Sequence, residues 1–145
     1  MPGTPESRAE PYRVFFSHGG EDTYIVKGFL KPKIEESGAS VFLDAGEIKY
    51  GDDFRKTVLD ELASCDELVV LLSRSSIGRA WVCAEIGAAV IRRVRVVVVL
   101  YGVAEQELMP TGFLSLLGTN KLLVMANFDT YVLELKARVE NGHHA

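Results

Sequence analysis

The chain has 145 residues, 48% of them apolar and 25% charged, which fits one globular domain with its own core and excludes a highly charged disordered chain. With 16 basic against 20 acidic residues the net charge is −4, so duplex nucleic acid and membrane surfaces are not expected partners. Two cysteines, Cys65 and Cys83, lie in apolar stretches, and the three histidines make no ligand spacing with them. A reducing, cytoplasmic compartment without a disulfide framework, and no metal, is therefore expected. The opening Met1-Pro2-Gly3-Thr4-Pro5-Glu6 precedes no apolar core, so a signal peptide is not expected either.

Residues 1–11, punctuated by proline, read as a disordered lead-in, 12–140 as a single domain and 141–145 as a tail. Near-continuous apolar runs at Tyr12–Phe16, Ser40–Leu43, Leu68–Leu72, Val94–Tyr101 and Leu122–Met125 predict strands buried on both faces, as in a parallel sheet. Helical spacing fills the gaps. Asp22 to Glu36 is helix-like, with Pro32 expected to kink or bound it and Gly38 to cap it. Phe54, Val58 and Leu62 recur every four residues, and Phe128, Val132, Leu135 and Val139 follow the rhythm of three and four. Arg79 to Arg92 predicts a mostly buried helix, and Ala104–Thr119 a short helix or a long loop. The alternation implies a doubly wound α/β domain with a five-stranded parallel sheet in the flavodoxin-like order 2-1-3-4-5.

In such sheets the ligand crevice lies beyond the carboxyl ends of strands one and three. Those ends carry Ser17-His18-Gly19-Gly20 and Ser73-Arg74-Ser75-Ser76, two small polar loops. Gly19 and Gly20 either let backbone approach a ligand or simply make the turn. Neither GxGxxG nor GxxxxGK[ST] is present. In the third helix Trp81 and Glu85 share a face, one turn apart. Two readings stand for them. Glu85 reaches solvent or pairs with Arg79 or Arg92 while Trp81 is ordinary core, or Glu85 is a buried carboxylate kept for a function. Between strand two and the next helix, Asp44 to Asp52 forms a loop with apolar Ile48 and Tyr50, as plain surface or a docking loop.

Taken together, these residues resemble the TIR (Toll/interleukin-receptor homology) family, especially its bacterial members, from Tyr12 to about Arg138. Arg13-Val14-Phe15-Phe16-Ser17-His18 resembles the opening strand, followed by Glu21-Asp22. Val41-Phe42-Leu43-Asp44, then Ile48 and Gly51-Asp52, resembles the second strand and the BB loop. Ser73 to Ser76 and Trp81-Val82-Cys83-Ala84-Glu85 resemble the family's Trp-x-x-x-Glu region. The resemblance implies an NAD glycohydrolase or ADP-ribosyl cyclase with NAD as substrate and no cofactor. Glu85 is then the catalytic residue. Ser17, His18, Gly19, Gly20, Asp44, Ser75 and Trp81 are the expected substrate-binding residues. Ile48, Lys49, Tyr50 and Gly51 are the expected BB-loop assembly residues. The expected partners are a second copy, through that loop, and a separate nucleotide-sensing effector, as in bacterial anti-phage defence.

The chemistry suits one carboxylate. Nicotinamide leaves as a neutral molecule, and positive charge builds on the ribose. Attack by water gives ADP-ribose, and attack by the substrate's own adenine or ribose gives a cyclic isomer. Two other classes remain: a non-enzymatic TIR–TIR interaction module and a nucleoside deoxyribosyltransferase-like enzyme. A phosphoacceptor receiver is excluded, because the strand ends hold Ser17-His18 and Ser73 where it needs acids.

Overall fold

The structure, a computed structural model, describes residues 11–44, 54–111 and 122–141. Strand β1 spans Arg13–Ser17 and is followed by a 3-10 turn, Gly20–Asp22. Helix α1 then runs over 23–36 in three pieces: Thr23–Ile25, a π-helical turn Val26–Leu30, and Lys31–Glu36. The π turn answers the question set by Pro32. A proline there cannot donate to the carbonyl of Gly28 in an α ladder. The wider turn lets Lys31 N–H reach Val26 O, and the helix continues with Pro32 as a first-turn residue. Gly38, at φ +102°, ends the helix as expected, with its N–H on Glu35 O at 3.0 Å.

Strand β2 (Ser40–Asp44), helix α2 (Phe54–Ser64), strand β3 (Glu67–Leu72), helix α3 (Ala80–Ile91) and strand β4 (Arg95–Leu100) follow. A 3-10 segment at Glu105–Thr111, the short strand β5 (Leu123–Val124), a 3-10 turn at Met125–Asn127 and helix α4 (Phe128–Glu140) complete the described chain. Ala104–Thr119 thus opens as a 3-10 segment, and its remainder from 112 lies outside the described residues. The five strands are parallel in the order β2-β1-β3-β4-β5, as the sequence predicts.

The two-residue period of the strands sorts side chains between two cores. Phe15, Leu68, Val70, Leu72, Val96, Val98 and Leu100 pack with Val58 and Leu62 of α2 and Val82, Ile86 and Ala89 of α3. Val14, Phe16, Val69, Leu71 and Val99 pack with Val26, Leu30 and Ile34 of α1 and Phe128, Tyr131 and Leu135 of α4. The central strand β3 is buried at every position, and each of its leucines and valines contributes about 1.5–3 kcal/mol by leaving water.

At the amino-terminal edge of β3 the buried Glu67 ties α4 to the sheet. Its carboxylate accepts Tyr12 OH at 2.7 Å, Tyr131 OH, and Arg138 through Nε at 3.1 Å and Nη2 at 3.2 Å. Four donors on two oxygens leave this buried charge fully paired. Burial first, and the Glu67 carboxylate second, raise both tyrosines above their ordinary values.

Candidate functional site

Strand geometry alone assembles the first part of the site. Ser17 and Asp44 are register partners at the carboxyl ends of β1 and β2. Ser17 has the parity of Phe15, and Asp44 that of Phe42, so both belong to the sheet face that α2 and α3 cover. Glu85 comes down onto the same place from the second turn of α3. It is 6% exposed, and Asp44 is 3% exposed.

Glu85 forms no ion pair with Arg79 or Arg92. Arg79 Nε donates to Ser75 O at 3.1 Å, and Arg92 Nη1 donates to Leu62 O at 2.7 Å. The Glu85 carboxyl meets the Asp44 carboxyl instead. Burial, then the hydrogen bond and charge of Asp44, push Glu85 up to about 10, and the nearby Ser17 hydroxyl opposes the shift. At neutral pH the Glu85 carboxyl therefore keeps its proton.

Two atoms at this place are buried without a hydrogen-bond partner, Glu85 Oε1 and Ser17 Oγ. Leaving such an atom unsatisfied costs about 1–3 kcal/mol. The two together present an acceptor and a hydroxyl, the complement of a ligand that carries hydroxyl groups. This is what separates the Glu85 site from a large groove elsewhere among the described residues. That groove, about 890 Å³, is lined by Arg93, Arg95, Tyr131, Glu134 and Arg138 among others, and shares no residue with the site.

Trp81 lies one turn before Glu85, half-buried against the core of the α2/α3 face. His18 is buried at 1% exposure, and its ring stands edge-on to Phe16, whose side chain packs with α1 and α4. Its Nδ1 lies 2.8 Å from Gly19 O, which can only accept, so the proton sits on Nδ1. Gly20 begins the 3-10 turn and is exposed.

Gly19 has an ordinary φ of −77°. The reason for glycine is contact. A Cβ there would lie 2.0 Å from Ser75 Oγ, 2.9 Å from Ser75 Cβ and 3.0 Å from the Ser75 carbonyl carbon. The loops after β1 and β3 thus press together, a third outcome beside the ligand and turn readings. Asp22 holds them. Its Oδ2 accepts Ser75 Oγ at 2.9 Å and also the Ser73 hydroxyl, while Ser75 N–H donates to Ser73 Oγ at 3.1 Å. Sequence reasoning passed over Asp22 and Ser73 as site residues. Their only signal was position, at the ends of the two loops.

The structure brings Ser17, Asp44 and Glu85 together, with Trp81 on the next turn and Gly19 against Ser75. Ile48, Lys49, Tyr50 and Gly51 lie outside the described residues. Cys65 and Cys83 are free thiols, and no group of three or more potential metal ligands occurs among the described residues. No described helix is long and apolar enough to cross a membrane.

Comparison with known proteins agrees with the fold. The family model described as TIR domain matches residues 14–131. A probable 2′ cyclic ADP-D-ribose synthase, TcpB of Brucella abortus, is 31% identical over 77 residues, 53% of this chain and 31% of that protein. The 2′ cyclic ADP-D-ribose synthase BtTIR of Bacteroides thetaiotaomicron is 30% identical over 81 residues, 56% of this chain and 28% of that protein. The matches therefore span less than a third of these relatives. Among solved structures, the RPS4–RRS1 TIR domain heterodimer matches with a TM-score of 0.65 at 18% identity, covering 94% of this chain and 100% of that one. The TIR domain of the Toll-related receptor TRR-2 from Hydra magnipapillata matches at 0.60 and 18%, covering 86% and 91%.

Proposed function

This chain belongs to the TIR domain family, and from that premise we propose that it consumes NAD by cleaving the bond between nicotinamide and ribose. The observation that carries the proposal is the orphaned Oε1 of buried Glu85 beside the orphaned Ser17 hydroxyl. A ribose diol supplies the missing partners, one hydroxyl donating to Glu85 and the other meeting Ser17.

In the proposed reaction the electron pair of the glycosidic bond leaves with nicotinamide, which becomes neutral. The anomeric carbon becomes electron-poor, and the Glu85 carboxyl, which the positive charge beside it drives to ionise with release of its proton to solvent, stabilises it as an anion. An incoming oxygen or nitrogen then bonds to that carbon and releases its proton. The names of the bacterial relatives favour capture by a group of the substrate itself, giving a cyclic ADP-ribose isomer, over capture by water. We assign the product a signalling role, with a separate nucleotide-sensing effector as receiver, as in anti-phage defence. The BB loop of a second copy is the proposed completing element of the site. The activated Roq1 resistosome contains TIR domains, and RPS4 and RRS1 pair as a heterodimer.

The test is incubation of the protein with NAD, with chromatography for free nicotinamide and for the ADP-ribose product. Release of nicotinamide supports the enzyme. Its absence at high protein concentration leaves the interaction module, and exchange of bases on a deoxynucleoside without NAD cleavage identifies the deoxyribosyltransferase-like alternative.

A further inference from the structure

We propose that Asp22 is a positioning residue for the Glu85 site: by holding Ser73 and Ser75 it draws the loop after β3 onto Gly19 and fixes the spacing of the two loops that border the cleft. The inference rests on the NAD-consuming reading above.

Asp22 is 9% exposed and forms no ion pair with a described residue. A carboxylate removed from water and held by neutral hydroxyls is a costly way to close a turn. The turn is closed without it. Asp22 N–H reaches Gly19 O at 3.0 Å, and Thr23 Oγ1 donates to Gly20 O at 2.8 Å. What the carboxylate adds is the link between the two loops, because Ser73 and Ser75 belong to the other one.

The link has two consequences. The Ser75 hydroxyl hydrogen is committed to Asp22, so Ser75 acts by placing its loop. That placement brings Ser75 Oγ to within 2.0 Å of where a side chain at position 19 would begin. Gly19 stands two residues after Ser17, whose hydroxyl is one of the two orphaned atoms. A shift of the β3 loop therefore reaches, through Gly19, the turn that follows Ser17. Loss of the clamp should weaken substrate capture more than it slows bond cleavage, since misplacement of even an ångström is expensive.

The experiment is steady-state nicotinamide release by wild type, Asp22→Ala, Asp22→Asn, Ser75→Ala and the double variant Asp22→Ala/Ser75→Ala, each below its melting temperature. Asp22→Ala should raise the KM for NAD about tenfold with a smaller change in kcat. Asp22→Asn keeps an acceptor oxygen and should recover most of the loss. The double variant should be no worse than Asp22→Ala alone, because both substitutions cut one link. If Asp22→Ala does not fold, Ser75→Ala must still raise KM in a folded protein. An unchanged KM in these variants, or losses that simply add, overturns the positioning role and leaves the functional reading intact. A wild type that releases no nicotinamide overturns the functional reading, and this inference falls with it.

Discussion

The Glu85 carboxyl, carried by α3, is buried against the Asp44 carboxyl at the end of β2, and Glu85 keeps its proton at neutral pH. Burial and the Asp44 carboxyl together oppose the ionisation of Glu85. Such an arrangement stores destabilisation in the folded chain, and a functional site is where that cost has a use.

The stored cost has a sign that melting experiments can read. Glu85 titrates near 4.5 in the unfolded chain and about 10 in the folded one. Between these values the folded chain holds a proton that the unfolded chain has lost. Stability from this group is therefore full below about pH 4.5 and falls as pH rises toward about 10. Glu85→Gln is neutral at every pH and keeps a hydrogen-bonding group beside Asp44. At about pH 9 it should be more stable than wild type by about 1–3 kcal/mol, with the gap closing toward about pH 5. Thermal melts of both proteins across that range check this. A variant less stable than wild type at the alkaline end would contradict the raised Glu85 carboxyl.

The Glu67 cluster makes the opposite kind of prediction. Tyr131→Phe removes one donor from a buried carboxylate that Tyr12 and Arg138 still hold, and should cost about 1–3 kcal/mol. Glu67→Ala leaves the Arg138 guanidinium without its partner and should cost about 3–5 kcal/mol. Denaturant unfolding measures both. The cluster lies at the amino-terminal edge of the sheet, away from Glu85, so a folded Tyr131→Phe protein should keep its KM for NAD.

Much of this was legible in the sequence. The runs Leu68–Leu72 and Val94–Tyr101 marked strands buried on both faces, because helices cover both sides of the sheet. Gly38 marked the end of α1, and Val58, Leu62, Phe128 and Leu135 the buried faces of α2 and α4. Glu85 stood out as a carboxylate among small apolar neighbours. Contacts between distant residues were not legible. That Asp44 is the partner of Glu85 depends on strand register, and that Gly19 is glycine because of Ser75 depends on how two loops 56 positions apart close together. Pro32 was read correctly as a problem for the helix, and the π turn that resolves it has no local signature. Glu67 carried no signal in the sequence, since its four donors come from Tyr12, just before β1, and from Tyr131 and Arg138 of α4.

The BB loop carries a prediction about assembly. Ile48 and Tyr50 are apolar in a stretch of sequence otherwise rich in glycine and charge. If a second copy uses them to complete the site, activity per chain should rise with protein concentration. Ile48→Asp places an uncompensated charge in that contact and should reduce association and activity together. Light scattering and nicotinamide release on one dilution series test this. Constant specific activity from a monomer, unchanged by Ile48→Asp, would leave the loop as ordinary surface.

The central claim is that the Glu85 carboxyl does the chemistry, and the most direct measurement is nicotinamide release from NAD by folded Glu85→Gln beside wild type. Gln keeps the shape of the side chain, but it has no carboxyl proton to give up and so cannot become the anion that stabilises an electron-poor ribose. The account predicts a loss of about 10²-fold or more in kcat, with the melting temperature held or raised. Wild-type turnover by the folded variant would contradict it.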